Sequence, residues 1–147
     1  NDTAKKLGVK DTNFVNPNGL HDDNHYTTAY ELAKITRYAL KNDMFREIVS
    51  SKMYTATMTL SDGTKTEIEY INHNRLLKEV DGCIGVKTGF TKKAGRCLVS
   101  SCIRYDTEFV CVVLNCPPMF ERSKTLLTNA FNQYKNIKII DKNNILL

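Results

Sequence analysis

The sequence predicts an α+β fold in which an antiparallel sheet is flanked by helices. Three observations carry that expectation. Residues 28–41 and 119–134 have apolar positions at helical spacing: Leu32, Ile35, Thr36 and Ala39 share one face of the first, Leu127, Ala130, Phe131 and Tyr134 one face of the second. Two pairs of β-rich segments, 53–60 with 64–71 and 97–104 with 108–115, are joined by turns short enough to make antiparallel neighbours of them. The composition, 41% hydrophobic and 25% charged over 147 residues, suits one globular domain with a real core.

Taken in order, residues 1–7 read as the tail of a helix stopped by Gly8, and Asn13 to Leu20 as an extended stretch entering a tight turn shaped by Pro17 and Gly19. Thr28-Ala29-Tyr30-Glu31 has the form of a capping box, the threonine hydroxyl taking the Glu31 amide while Glu31 reaches back, so a helix starts there. A second helix near 43–50 follows Asn42. Ser61-Asp62-Gly63 is hairpin chemistry and joins 53–60 to 64–71 at the periphery of the domain. Asp81-Gly82 is a turn, after which a strand carrying Lys87 begins. The run Val110 to Leu114 is continuously apolar, as expected of a strand covered on both faces, and Pro117-Pro118 ends it before the last helix. Residues 1–136 therefore read as one unit. Residues 137–147 read as a linker or the first strand of a following domain.

No run approaches the roughly 18 apolar residues of a membrane span, and the first residues lack the apolar core of an export signal. The net charge of +5 is spread from Lys5 to Lys142 with no basic block, which argues against a nucleic-acid partner. The one local concentration is Lys87, Lys92, Lys93 and Arg96, a positive field that favours a substrate ending in a carboxylate. Five cysteines without a Cys-x-x-Cys pair indicate neither a zinc ribbon nor a thioredoxin-type site, and read first as small buried hydrophobes. A hairpin turning around Asp106-Thr107 offers an alternative, placing Cys102 opposite Cys111 and Cys97 opposite Cys116 within disulfide reach. His21, His25 and His73 match no zinc spacing, so no metal and no cofactor is expected.

The chemistry-bearing motif is Lys87-Thr88-Gly89, opening a strand within Gly85 to Gly95. A bare triplet of this kind arises by chance, and its surroundings decide its meaning. Four stretches stand in family order: Ala4 to Leu20, His25 to Ala33, Asn72-His73-Asn74-Arg75-Leu76-Leu77, and Asp81 to Leu98. Through them the chain resembles the low-molecular-mass penicillin-binding proteins, the serine-type D-alanyl-D-alanine carboxypeptidases, up to about Tyr134. The resemblance implies a partial serine β-lactamase/DD-peptidase-like fold, with the nucleophilic serine and its lysine on a helix of the amino-terminal half. No serine here has lysine at +3 or asparagine at +2. The chain thus reads as the carboxy-terminal half of the peptidase domain of a larger enzyme, inactive by itself.

The resemblance implies a role for each motif residue beside an ordinary one. Lys87 would supply a catalytic ammonium near nucleophile and substrate carboxylate, or else be an exposed strand lysine in a salt bridge. Thr88 would bind the terminal carboxylate through its hydroxyl, or merely favour a strand. Gly89 would let substrate backbone lie close, or mark a bulge. Phe90 would offer its amide as one oxyanion-hole donor. Arg122 is the candidate basic partner of the carboxylate, with Arg96 and Arg104 as others. Tyr70-Ile71-Asn72 mimics the Tyr-x-Asn of some relatives but stands too close before Lys87. The substrate implied is a peptidoglycan stem peptide ending in D-Ala-D-Ala, with β-lactams as ligands of the intact parent. The location implied is extracytoplasmic, wall- or membrane-associated, with any anchor beyond Leu147. The competing function is a non-catalytic peptide or cell-wall binding domain. Absent amino-terminal strands would also leave a sheet edge through which two copies could pair.

Overall fold

Caps and turns set most of the element boundaries. In the computed structural model, which describes residues 1–134 together with Asn136 and Ile137, the chain opens with α1 (Asp2–Lys6), released at Gly8 with φ +68°. The expected linker or strand at 137–147 lies, apart from Ile137, outside the described residues. Helix α2 (Ala29–Ala39) starts at Thr28, whose hydroxyl accepts from the Glu31 amide at 3.2 Å. Glu31 does not close the capping box. Its carboxylate accepts from the Lys10 amide (2.6 Å), the Asp11 amide (2.9 Å) and the Thr12 hydroxyl (2.6 Å). Three converging donors on the preceding loop outweigh the single amide of the helix start.

Burial pushes the Glu31 carboxyl up, but the bonds from Thr12, Lys10 and Asp11 and the charge of Lys34 prevail, and its pKa falls below its ordinary 4.5. A depressed carboxyl stabilises the fold fully above that ordinary value and loses its contribution as pH drops through the folded one. Glu31→Gln is therefore expected to melt several degrees below the parent chain at neutral pH. The gap should narrow on acidification to about pH 3. A gap that stays constant across thermal melts over that range contradicts the role given to Glu31.

Asn42 caps α3 (Asp43–Ser50) by accepting from the Phe45 amide at 3.0 Å. Strands β1 (Met53–Thr59) and β2 (Lys65–Ile71) pair in register from Met53↔Ile71 to Thr59↔Lys65 and form a two-stranded sheet of their own, as peripheral as the sequence predicts. A one-turn helix that the sequence reading lacks, α4 (Leu76–Glu79), buries Leu76 and Leu77, its start marked by Asn74 Oδ1 accepting from the Leu76 amide at 3.2 Å.

The main sheet runs β3 (Cys83–Thr91), β4 (Gly95–Arg104), β5 (Thr107–Val113) in antiparallel order, β4 central. Gly95, at φ +67°, closes the Lys92-Lys93-Ala94 loop against Asn115, where a Cβ would collide with the asparagine side chain. Helix α5 (Met119–Gln133) covers one face: Leu127 and Met119 meet Leu98, Cys102, Val113, Leu76 and Val80. Helices α2 and α3 cover the other, where Leu40, Phe45 and Val49 meet Val86, Val99, Val110 and Val112. Strand β5 thus serves both layers, as its apolar run predicts. Most of it is only half-buried, because it forms a sheet edge among the described residues.

The disulfide alternative is overturned by register. The β4–β5 turn sits at Tyr105-Asp106, both at positive φ (49° and 60°), one residue earlier than expected. The pairing shifts accordingly: Cys102 faces Phe109 and Cys111 faces Ser100. Cys116 lies past the end of β5, and all five thiols are free.

Candidate active site

Strand β3 emerges from the core where its sequence turns polar. Gly85 and Val86 are buried, Lys87 is exposed, Thr88 half-buried, and Gly89 and Phe90 are exposed. Its inner edge is fixed to β4 through Lys87↔Val99, Thr88↔Leu98, Gly89↔Cys97 and Phe90↔Arg96. Its outer edge has no partner strand among the described residues. Lys87, Thr88, Gly89 and Phe90 therefore lie side by side along the free edge of a well-anchored strand.

They form one wall of a cleft of about 670 Å³ whose other walls come from far along the chain. Pro17, Asn18 and Gly19 arrive on the loop before α2, which ties itself off: Asn16 Oδ1 accepts from the Gly19 amide (2.7 Å), Asn16 Nδ2 donates to the Leu20 carbonyl (2.9 Å), and Asn18 Oδ1 accepts from the Leu20 amide (3.0 Å). His73 arrives between two asparagines. Asn72 Nδ2 donates to the Ser51 carbonyl at 3.0 Å while its Oδ1 accepts from the Asn74 amide at 2.9 Å. Met119 and Phe120 arrive on the first turn of α5, held by Arg75, which stacks 4.5 Å over the Phe120 ring and pairs with Glu121 at 2.5 Å.

No acidic residue lines this cleft, whereas Lys87 and Arg96 both do. Lys87 Nζ donates to the Thr88 carbonyl at 2.6 Å, and neither cation joins an ion pair among the described residues. Arg96 lies 5.6 Å from the Phe90 ring centroid. Such a field favours an anion. Gly89 adds a second constraint: its φ is not positive, and a Cβ placed on it would meet only Cys97 Cβ at an ordinary 3.9 Å. Neither backbone strain nor internal packing asks for glycine there.

Of the sequence candidates, the cleft gathers Lys87, Thr88, Gly89, Phe90 and Arg96. Arg122 is exposed on α5, one helical step past Met119, and is not among the lining residues. Arg104 is engaged elsewhere, its Nε donating to the Asp81 carbonyl at 3.0 Å and its guanidinium 4.8 Å from the Phe131 ring centroid. His25 stacks edge-on with Phe14 at 5.6 Å, a packing role. His73, set aside in the sequence as a metal ligand, lines the cleft together with Asn18 and Phe120; the first two lie in stretches that carry the resemblance, but no site role was assigned to any of the three. Asn72 holds the hairpin base to the end of α3. A second, mainly apolar hollow of about 390 Å³ shares Gly19, Gly89 and Phe90 with the cleft and adds Phe14, Leu32 and Leu114. Among the described residues no cluster of His, Cys, Asp or Glu could hold a metal ion, and no helix is long and apolar enough to cross a membrane.

Comparison with known proteins agrees with this geometry. The sequence profile of the D-alanyl-D-alanine carboxypeptidase family matches residues 1–117. The chain is 34% identical over 148 aligned positions to the D-alanyl-D-alanine carboxypeptidase DacF of Bacillus subtilis, covering 97% of this chain and 36% of that protein. It is 37% identical over 115 positions to the D-alanyl-D-alanine carboxypeptidase of Streptomyces sp. strain K15, covering 78% of this chain and 40% of that one. The crystal structure of the Streptomyces K15 DD-transpeptidase superposes with a TM-score of 0.80 at 34% identity, over 87% of this chain and 50% of that chain. This chain therefore spans 36–40% of the length of these curated relatives. With the family profile matched over most of its length, and the Lys-Thr-Gly strand exposed on a cationic cleft, the chain belongs to the D-alanyl-D-alanine carboxypeptidase family.

Proposed function

We propose that this chain supplies the substrate-binding strand of a serine-type D-Ala-D-Ala carboxypeptidase that cleaves peptidoglycan stem peptides through an acyl-enzyme, the nucleophile coming from a segment outside these residues. The observation that supports it most is the free edge of β3, where the motif faces a cleft lined by cations and no acid. A stem peptide laid along that edge adds a strand to the sheet. In this reading the Lys87 ammonium stabilises charge near the nucleophile and the carboxylate, and the Thr88 hydroxyl binds the terminal carboxylate. Gly89 leaves room for substrate backbone, and the Phe90 amide is one oxyanion-hole donor. Arg96, on the cleft wall, is the better-placed basic partner of the carboxylate, with exposed Arg122 as the other candidate. β-Lactams would acylate the same centre in the parent enzyme, and a wall substrate implies an extracytoplasmic location. Residues 1–136 would then be the carboxy-terminal part of the peptidase domain.

The test is a titration of the isotopically labelled chain with an N-acylated D-Ala-D-Ala dipeptide, followed by NMR. Amide signals of Thr88, Gly89 and Phe90 are expected to move, and amidation of the terminal carboxylate should weaken the response about tenfold or more, the loss of a charge-assisted hydrogen bond. Gly89→Ala, compatible with the fold by its geometry, should suppress the shifts. Shifts confined to other surfaces, or equal responses to acid and amide, would defeat the proposal. The outer edge of β5 also lacks a partner strand among the described residues, so pairing of two copies through it is proposed on that ground. Light scattering that reports only monomer at high concentration rules it out.

A further inference from the structure

Four residues before Lys87, β3 and β4 place two thiols face to face. Cys83 is the register partner of Cys102, and both belong to the layer beneath α5. The ladder fixes what kind of pair this is. The Ile103 amide donates to the Gly82 carbonyl at 2.8 Å, while the Cys83 amide turns away to the Val80 carbonyl at 3.2 Å. Cys83 and Cys102 therefore occupy a non-hydrogen-bonded site, the narrow kind, where opposed Cα atoms stand about 4.5 Å apart and side chains approach most closely. That separation is within the range a disulfide spans. The two sulfurs differ in access. Cys102 is 0% exposed, whereas Cys83 is partly open to solvent beside the irregularity that shifts the register between Cys83 and Gly85.

We propose that Cys83 and Cys102 are a redox-active dithiol that closes into an intramolecular disulfide by exchange with a small-molecule disulfide of the glutathione class. The Cys83 thiolate attacks one sulfur of that reagent, forming a mixed disulfide and releasing one thiolate, which takes up a proton. Cys102 then gives up its proton and attacks the Cys83 sulfur, breaking the mixed bond and releasing the second thiol. The dithiol loses two electrons and two protons, and the small disulfide becomes two thiols. Burial of Cys102 sets the order, since only Cys83 can meet an external reagent. Ionisation follows the same asymmetry. The Cys102 thiol beside it brings the Cys83 thiol down to about 7, while the same neighbour and burial push Cys102 well up. Closure would staple the start of β3 to β4 immediately upstream of the motif without touching the cleft, so the inference stands apart from the proposed function.

The experiment treats the reduced chain with oxidised glutathione, quenches with acid and weighs the product. Trypsin separates residues 79–87 from 97–104, and because the second peptide also holds Cys97, mapping is done in Cys97→Ser. The expected product is lighter by about 2 Da, the two hydrogens lost on closure, with 79–87 joined to 97–104 and a melting temperature raised by several degrees. Cys102→Ala should stop at one glutathionyl group on Cys83. Cys83→Ala should leave Cys102 unmodified. A chain that stays fully reduced, glutathione settling on Cys97 or Cys116 without the 83–102 link, or a link from Cys102 to Cys111 overturns the proposal.

Discussion

A fluorescent penicillin should leave this chain without a covalent label under conditions that fully acylate an intact serine carboxypeptidase. The expectation rests on chemistry that the residues cannot supply. None of the serines stands three positions before a lysine, and Ser100, Ser101 and Ser123, the most protected of them, are fully buried in β4 and α5. In the proposed function the Phe90 amide supplies only half of an oxyanion hole. Even a complete hole and a good binding site leave an enzyme about a millionfold short in kcat when the nucleophile is gone, as measured in subtilisin. Extending the chain with the family's nucleophile-bearing segment should restore labelling, and Lys87→Ala in that longer protein should slow acylation by about 10² to 10³, the scale of losing one electrostatic stabiliser. A labelled band from the chain as it stands would expose an unrecognised nucleophile. An extended protein that binds stem peptide but never labels would favour the non-catalytic reading.

Leu98→Ala should cause the largest loss of stability of any single truncation in the main sheet. Leu98 is 1% exposed, stands on the central strand, and is paired with Thr88 on one side and Val113 on the other. Truncation leaves a void beneath α5 that neither neighbour can fill without leaving its ladder. Buried Leu→Ala changes cost about 2–5 kcal/mol, and about 3 kcal/mol is a large share of the roughly 5–15 kcal/mol that holds a domain together. In melting temperature this is about 10 °C. The denaturation midpoint should fall with an unchanged denaturant slope. A loss under about 1 kcal/mol would mean that α5 collapses onto the gap.

What the sequence disclosed was local. Thr28 and Asn42 announce α2 and α3 because a capping side chain and its target amide lie three residues apart, and Ser61-Asp62-Gly63 announces the β1–β2 hairpin for the same reason. Helix α4 escaped notice because a single turn has no periodicity to read. The β4–β5 register was misjudged because Tyr105 takes a positive φ that its residue type does not advertise. The cleft shows the same limit at larger scale. The Lys-Thr-Gly strand is a contiguous motif and was legible, and Arg96 follows from pairing across the Lys92-Lys93-Ala94 loop. Asn18, His73 and Phe120 reach the cleft only through packing between separate segments of the chain, which no spacing rule encodes. The Cys83–Cys102 pair was invisible for the same reason, since it depends on a shift in the β3–β4 ladder.

The walls of the cleft differ in what makes them firm. The β3 wall is backed by hydrocarbon on both layers of the sheet, while the 16–20 loop is held by its own asparagine bonds and, upstream, by the Asn13↔Tyr26 bridge, the Asn1–Phe14 bonds, the Phe14–His25 stack and the Glu31 tether, most of them polar and exposed. Opening of such a polar latch takes far less free energy than melting a sheet. Acid well below the ordinary carboxyl value of 4.5, or dilute denaturant, will therefore slacken one jaw while the other keeps its shape, and affinity for a ligand gripped by both will fade before the protein unfolds.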